Sequence, residues 1–352
     1  MADRDVVVVA NPKAANGRAR RYALRVERAL RENGVRCEVR FTGGPMDAAR
    51  IARTSILDGA QTILCVGGDG TVNEVVNGFL EGGRPVRSGV SLCVAQVGTG
   101  TDFSRTTRQA SGPEDVVARI KSGRTRSIDA GLAEFTDLEG RPASRHFVNI
   151  AEFGSGGAVV EKVNRTTKVL GGRMSFLLAI LSVMPKYVNK RVRYSVDGGP
   201  EREVVANNVV VANGRYFGGG LMPAPHAELD DGLFDVVVIG DLDFKTIRRH
   251  LKDLRAGTHL GISGVTSSRG REVATRDTQG ALLDLHNMER RDVAHACCVF
   301  HGRIIPAVHS GKKTPVERRF PAFGERGGPA PRVVEDLLRI YNAAGITAAI
   351  PL

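Results

Sequence analysis

The sequence predicts an α/β domain built on a parallel sheet, followed by a domain that is mainly an antiparallel β-sandwich. Three observations carry that prediction. The apolar runs Val6–Ala10, Thr62–Val66 and Val90–Ala95 each empty into a loop rich in turn residues. Runs without alternation are what strands buried on both faces of a parallel sheet require. Residues at helical spacing follow the first two loops, as expected of β–loop–α units. From Arg126 onward the texture changes to alternation, polar turns and β-branched residues, as in Arg145–Ala151 and Arg191–Val196, the period of antiparallel strands.

Taken in order, the first run ends in Asn11-Pro12-Lys13-Ala14-Ala15-Asn16-Gly17-Arg18, a loop that leads to a helix carrying Tyr22, Leu24, Val26 and Leu30. Cys37–Thr42 alternates as a strand, and Gly43-Gly44-Pro45 leads to a helix over Asp47–Leu57. Thr42 closes that strand, where its hydroxyl reads either as a contact to a base or ribose or as a turn residue. The chain is organised around the next stretch, in which the strand Thr62–Val66 passes through Gly67, Gly68 and Gly70 into a pattern with Val72, Val75, Val76 and Phe79 at helical spacing. Glycines there let backbone approach a ligand, and a helix start presents N–H groups with partial positive charge, so phosphate is the natural guest. The lysine-bearing phosphate loop is absent, so backbone amides and hydroxyls must hold any triphosphate. Asp69 inside the loop argues for a metal or a hydroxyl near the phosphates; the plain alternative is a tight turn with a solvated Asp. A further run, Val90–Ala95, enters Gln96-Val97-Gly98-Thr99-Gly100-Thr101-Asp102-Phe103-Ser104-Arg105. These transitions place Asn11, Gly67–Asn73 and Thr99 at the carboxyl edge of one parallel sheet, where ligands of open α/β sheets bind. A helix through Val116–Ile120 then ends at Gly123, and the domain boundary falls near residue 130.

Two features stand out in the second domain. A helix over Leu177–Tyr187 is apolar on nearly all sides and flanked by Arg173, Lys186, Lys190, Arg191 and Arg193. It reads as a core helix, as the lining of a lipid-chain pocket, or as a contact with an anionic membrane surface. Further on, Asp230-Asp231-Gly232-Leu233-Phe234-Asp235 opens a buried strand. Two adjacent carboxylates at such a turn hold a hard divalent cation with carbonyl help, or are simply an Asp-Gly turn. A helix over Leu242–Gly257 follows. Beyond Leu260 four of the eight histidines (His286, His295, His301, His309) and the adjacent Cys297 and Cys298 appear, and strand alternation is scarce. An amphipathic helix is expected over Arg332–Ala343.

Composition bounds the partners. The formal charge of +12 and pI near 9.9 favour anionic partners such as nucleotides and acidic lipid headgroups. No charge block, aromatic-rich basic motif or zinc-finger spacing supports nucleic acid, so no nucleic-acid partner is expected. The five cysteines show no metal-ligand spacing and fit a reducing cytoplasm. The chain enters its first strand with no basic-then-apolar leader. Its most lipophilic run, Phe176–Met184, is shorter than the roughly twenty apolar residues that span a bilayer. A cytoplasmic protein with peripheral membrane contact is the expectation.

Gly67-Gly68-Asp69-Gly70-Thr71 followed by Asn73-Glu74-Val75-Val76-Asn77-Gly78 resembles the signature of the diacylglycerol kinase catalytic domain, shared by bacterial lipid kinases and sphingosine kinases. The shorter core also occurs in NAD kinases and, in related form, in phosphofructokinases; the extension through Asn77-Gly78 favours the lipid-kinase branch. Thr99, Asp102, Phe103 and Arg105 are in register with the family's second Gly-Thr segment, with Thr101 where Asn is usual. The Asn-Pro loop matches at Asn11, Pro12, Gly17 and Arg18, with Ala14-Ala15 in place of Ser-Gly. Asp230–Asp235 matches a third signature. The likeness covers roughly residues 5 to 260.

The resemblance implies a Rossmann-like nucleotide-binding domain over 1–130 in the manner of NAD and diacylglycerol kinases, a β-rich lipid-substrate domain over 131–310, and a divergent tail over 311–352 that packs back on the first domain. It implies ATP- and Mg²⁺-dependent phosphorylation of a lipid hydroxyl, diacylglycerol or similar, and so a part in lipid metabolism and phospholipid biosynthesis. Asn11 and Thr42 would border the nucleotide. Gly67, Gly68, Asp69, Gly70, Thr71, Val72, Asn73 and Thr99 would hold its phosphates, and Asp69 would position the catalytic Mg²⁺. Asp231 would give a side-chain oxygen, and Glu228 and Leu233 carbonyls, to a structural Mg²⁺. Asp284 would be the base for the lipid hydroxyl, although Leu285 and His286 replace the Gly and Glu that follow it in the family. Two other readings stand beside this one: a nucleotide- or lipid-binding protein whose tail has cost it catalysis, and phosphorylation of a soluble alcohol as in NAD kinase. The expected partner is lipid at a membrane surface, and an exposed strand edge in the second domain allows a homodimer.

Overall fold

The computed structural model describes residues 6–97, 101–107, 112–136, 141–165, 172–277, 282–284, 294–295, 300–305 and 346–348. Its first layer follows the order β1 (Val6–Ala10), α1 (Arg18–Glu32), β2 (Cys37–Phe41), α2 (Asp47–Leu57), β3 (Thr62–Gly67), α3 (Asp69–Phe79), the hairpin β4 (Leu80–Glu81) and β5 (Arg84–Pro85), β6 (Ser91–Gln96), α4 (Asp102–Thr107), α5 (Pro113–Ser122) and β7 (Arg126–Ile128). Strands β2, β1, β3 and β6 lie side by side in parallel, Val8 facing Val39 on one side and Leu64 on the other. Alternate residues of these strands feed two cores. Val7, Val9, Ile63, Cys65, Leu92 and Val94 meet Ile51 of α2 and Val72, Val75, Val76 and Phe79 of α3. Val6, Val8, Leu64, Val66 and Cys93 meet Ala23, Val26 and Leu30 of α1 and Val116 and Val117 of α5. Helices on both faces are the reason the strands carry no polar alternation.

The helix boundaries follow local chemistry. Helix α5 starts on Pro113, whose ring presets a helical φ, and stops at Gly123 in the left-handed region, φ 61°. In α1 the buried stripe is Ala19, Ala23, Val26 and Leu30, spaced three or four apart. Leu24, expected on the apolar face, falls one residue off that stripe and is exposed.

The second layer begins with β8 (Ala130–Thr136), β9 (Pro142–Phe147), β10 (Ile150–Gly154), α6 (Ser155–Arg165), α7 (Gly172–Val183), β11 (Lys190–Val196), β12 (Arg202–Ala206) and β13 (Asn208–Ala212). It continues with β14 (Phe234–Ile239), α8 (Phe244–Arg249), α9 (Leu251–Ala256), β15 (Val265–Gly270), β16 (Glu272–Asp277), β17 (Leu282–Asp284), β18 (Ala294–His295) and β19 (Phe300–Ile305). They form two antiparallel sheets, ordered β12-β11-β16-β19-β8-β9 and β15-β14-β13-β10-β17-β18. Ala133, Phe135, Phe147, Val192, Tyr194 and Val273 of one sheet pack on Ala151, Phe153, Val209, Val211, Phe234 and Val236 of the other. The rings of Phe147 and Phe234 stack across that core at 5.6 Å, an arrangement worth about 0.5–1.5 kcal/mol beyond area burial. The last described strand, β20 (Ile346–Ala348), returns to the first sheet, parallel to β6 and antiparallel to β7.

Three expectations need correction. The segment Arg145–Ala151 is not one strand: the chain leaves β9 at Phe147 and re-enters as β10 at Ile150 in the opposite sheet. The greasy helix starts earlier, at Gly172, and its last turn tightens into a 3₁₀ turn over Met184–Lys186, around Pro185. The helix over Leu242–Gly257 is two short ones. Asp243 caps the first by accepting a hydrogen bond from Thr246 N at 2.8 Å, and His250 breaks the pair with a non-helical ψ of 14°. The expected helix over Arg332–Ala343 lies outside the described residues.

Candidate active site

The site is built on the carboxyl ends of β1, β2 and β3. Strand β3 passes through Gly67 into Gly68, which caps α3 in an extended conformation (φ −93°, ψ −173°) with no side-chain hydrogen bond. The first α3 bond runs from Val72 N to the Gly68 carbonyl at 3.1 Å, so the helix itself supplies no acceptor for the amides of Asp69, Gly70 and Thr71. With the positive end of the helix dipole behind them, these amides have the geometry that suits an anion. Gly67 is required by space: a β-carbon there would overlap the Thr71 side chain. Thr71 and Val72 are buried in the first turn, while Asn73 is half-buried.

Asp69 is 5% exposed. Its Oδ2 accepts from Asp102 N and its Oδ1 from Phe103 N, both at 3.1 Å. The carboxylate therefore fastens the start of α3 to the start of α4, joining the two Gly-Thr segments that the sequence places at one crevice. Thr99 lies outside the described residues. Around the same edge Asn11 N donates to the Val66 carbonyl at 3.0 Å and Thr42 N to the Ala10 carbonyl at 2.9 Å. Asn11 Oδ1 in turn accepts from Lys13 N at 3.0 Å, tightening the loop. Ala15, Asn16 and Gly17 follow in left-handed conformations, φ 53°, 56° and 83°. For Ala15 that conformation costs about 1–2 kcal/mol, at the place where the resembling family carries a glycine.

The extension after the glycines is structural. Glu74 Oε2 accepts from Ala48 N at 3.1 Å and so satisfies an amide at the start of α2. Asn77 brackets the His146 backbone, taking its N–H at 2.8 Å and donating to its carbonyl at 2.9 Å. Gly78 lets α3 close on α2: a β-carbon there would meet the Ala49 carbonyl and the Ala52 methyl.

Several residues not assigned a structural role from the sequence hold the two layers together. Asp102 Oδ2 accepts from Gly219 N at 2.7 Å, inside the run Gly218-Gly219-Gly220 whose φ values of 59°, 83° and 104° only glycine adopts readily. Asp129 Oδ2 accepts from Gly232 N at 2.7 Å, and Asp129 N donates to the Leu229 carbonyl at 2.6 Å. Buried Asn213 donates to the carbonyls of Asp129 and Val148. The available signal was a polar residue flanking a buried strand beside glycine, as in Asn213-Gly214.

At the proposed cation turn, Asp231 Oδ1 accepts from Leu233 N at 3.0 Å and Oδ2 pairs with the Arg269 guanidinium. Arg269 Nε also reaches Asp235 Oδ2 at 3.3 Å. Burial raises the Asp235 pKa, with Arg269 opposing the shift. Both Asp231 oxygens are thus engaged, and a cation bound through them would have to displace the guanidinium; as folded, this turn does not fit Mg²⁺. Glu228 is exposed. Among the described residues no group of three or more His, Cys, Asp or Glu side chains is placed to hold a metal ion.

Asp284 ends β17, where its register partner is Glu152 of β10. On the greasy helix, Leu178 and Leu181 are exposed, as is Val188 just beyond it. Arg191 and Arg193 share Glu203 at 2.7 and 2.8 Å, so two of the expected flanking cations are held in one ion-pair cluster. Among the described residues no helix is long and apolar enough to cross a membrane.

Residues 5–133 match the model of the diacylglycerol kinase catalytic domain, and residues 149–288 that of the YegS C-terminal NAD kinase beta sandwich-like domain. A protein of Pseudomonas aeruginosa (strain UCBPP-PA14) named "Probable lipid kinase YegS-like" is 31% identical over 239 residues, 67% of this chain and 73% of its own length. A protein named "Diacylglycerol kinase" of Mycobacterium tuberculosis is 25% identical over 274 residues, 76% of this chain and 84% of its own length. A crystal structure of a diacylglycerol kinase from Bacillus anthracis shares the fold, with a TM-score of 0.59 at 20% identity over 86% of this chain and 94% of that one.

Proposed function

Because this chain belongs to the family of YegS-like and diacylglycerol kinase-like lipid kinases, we propose that it transfers the γ-phosphate of ATP to the hydroxyl of a membrane lipid, diacylglycerol or a similar alcohol. The observation that carries the reading is the helix start behind Gly67 and Gly68, without a side-chain cap and fastened to α4 through Asp69. A backbone cradle of this kind suits phosphoryl transfer, which needs positioning and charge neutralisation more than covalent chemistry. Asn11 and Thr42 flank the cradle and border the nucleotide.

In the transfer, the lipid oxygen bonds to the γ-phosphorus while the bond from that phosphorus to the ADP oxygen breaks, ADP keeping the electron pair. The hydroxyl proton passes to the Asp284 carboxylate. Mg²⁺, when bound with the nucleotide, would supply neutralisation of the charge that develops on the transferred phosphoryl group. The net charge of +12 and the exposed Leu178 and Leu181 favour peripheral contact with an anionic bilayer. The test is ADP release from ATP and Mg²⁺ in the presence of mixed micelles of 1,2-dioctanoylglycerol. Release that requires the lipid supports the reading; release that is independent of lipid, or none at all, counts against it.

A further inference from the structure

Helix α1 carries Arg18, Arg20, Arg21, Arg25, Arg28 and Arg31 within 15 residues, with Glu27 and Glu32 as its carboxylates. Its first turn holds no acidic residue. Arg18, Arg20 and Arg21 stand there instead, where the positive end of the helix dipole disfavours cations. Helix stability therefore gives no reason for this charge.

Three of the six guanidiniums have partners of their own. Arg18 Nε donates to the Ala15 carbonyl at 3.1 Å, Arg20 lies over the Phe41 ring at 5.2 Å from its centroid, and Arg31 pairs with Glu27 at 2.6 Å. Arg21, Arg25 and Arg28 are exposed, and none makes an ion pair with a described residue. On α2 of the same layer the cations are matched: Arg50 pairs with Asp47 at 2.7 Å and Arg53 with Glu81 at 2.8 Å.

Helical spacing sets the three arginines in a line. Residues three and four apart share a face, so Arg21, Arg25 and Arg28 form a stripe about 10 Å long, opposite the buried Ala19, Ala23, Val26 and Leu30. Leu24 sits within that stripe, three residues after Arg21 and four before Arg28, and is 45% exposed. A large apolar side chain held in water among cations fits a surface that is anionic at its face and apolar just beneath, which describes a bilayer of acidic phospholipids. A nucleic-acid backbone would match the charge and leave the leucine without a role. Arginine also suits headgroup phosphate, to which its guanidinium donates two parallel N–H groups.

Resting on the lipid-kinase reading, we propose that this face of α1 docks on an anionic bilayer, with Arg21, Arg25 and Arg28 on headgroup phosphates and Leu24 at the acyl boundary. The helix starts where the Asn11 loop ends, so the contact holds the nucleotide-bordering edge of the site beside the membrane that supplies the alcohol.

Sedimentation of the purified chain with vesicles of equal parts phosphatidylcholine and phosphatidylglycerol reads the contact without turnover. The variant carrying Arg21→Gln, Arg25→Gln and Arg28→Gln should bind roughly 100-fold more weakly than wild type. Lysine at the same three positions should restore binding to within about threefold, because the surface potential acts on charge. Leu24→Ser should weaken binding by about five- to tenfold. All four side chains are exposed, so these variants should melt as the wild type does. A glutamine variant that binds as wild type does, binding indifferent to Leu24→Ser, or tighter binding of single-stranded RNA through the same arginines overturns the proposal, the last in favour of a nucleic-acid face. Turnover separates this proposal from the reading beneath it. Phosphorylation of dioctanoylglycerol in neutral detergent micelles should be equal in wild type and glutamine variant; its loss in the variant alone would place the arginines in the site and overturn the docking role. No turnover by either, with vesicle binding still dependent on the arginines, would refute the lipid-kinase reading and leave the docking face standing.

Discussion

Replacing Asp69 by Asn tests how the start of α3 is held against α4. The carboxylate accepts two backbone N–H groups, from Asp102 and Phe103, each at 3.1 Å. The amide keeps one acceptor and turns an NH₂ toward the other donor. One charge-assisted bond is lost, about 1.5–3 kcal/mol, and a buried N–H is left without its acceptor, about 1–3 kcal/mol. Removing a buried charge offsets part of this. A net loss of about 2–3 kcal/mol remains, which lowers the melting temperature by roughly 4–12 °C at about 2–4 °C per kcal/mol for domains of this size. Because α4 then shifts against α3, ATP affinity falls as well, beyond any effect on the catalytic step. Circular dichroism melts and calorimetry with ATP read the two consequences. A variant that melts within about 1 °C of wild type, with unchanged ATP affinity, would refute the fastening role.

Four further outcomes follow from the geometry. Asn77→Ala removes both hydrogen bonds to the His146 backbone and should cost roughly 1–3 kcal/mol in a urea titration. Gly78→Ala forces a methyl against the Ala49 carbonyl, parting α2 and α3 at a cost of about 1–3 kcal/mol, read as a lower melting temperature. Burial lowers the His259 pKa in the fold. The unfolded chain therefore gains a proton below about pH 6.5 that the folded chain refuses, and stability present above that pH is lost as pH falls through the folded value. Melting the wild type and His259→Leu at pH 7.5 and pH 5 should show the larger acid loss in the wild type. Arg269→Ala leaves Asp231 and Asp235 without their shared guanidinium and should melt below wild type. Adding Mg²⁺ should raise the melting temperature of that variant and leave the wild type unchanged.

Backbone-level features were the legible part of this chain. The buried parallel strands, the Gly67–Gly70 turn and the Gly123 stop each express a local requirement, either burial on both faces or a conformation and space that glycine supplies, and the requirement is visible in residue type. The roles of side chains were less legible because their partners are distant in sequence. Asp69 read as a sign of a metal or hydroxyl near phosphates or as a solvated turn residue, and nothing near it in sequence announced that it also holds α4, 33 residues away. Asn77 stood out only as part of a family signature and is a clamp on β9, 69 residues away. Asp231 carried the pattern of a cation turn, and nothing near it in sequence announced Arg269, which arrives from β15. The corner at Val148-Asn149 was hidden for the same reason. Alternation continues through it, while only the positions of two sheets decide that the chain must cross between them.

The most direct test of the central claim is transfer of labelled γ-phosphate from ATP with Mg²⁺ to a panel of lipid alcohols in detergent micelles, run beside a soluble panel containing NAD. The account predicts label in a lipid product, lost in Asp284→Asn and reduced in Asp69→Asn. Label in a soluble acceptor alone, or no transfer by a chain that still binds ATP, would contradict it.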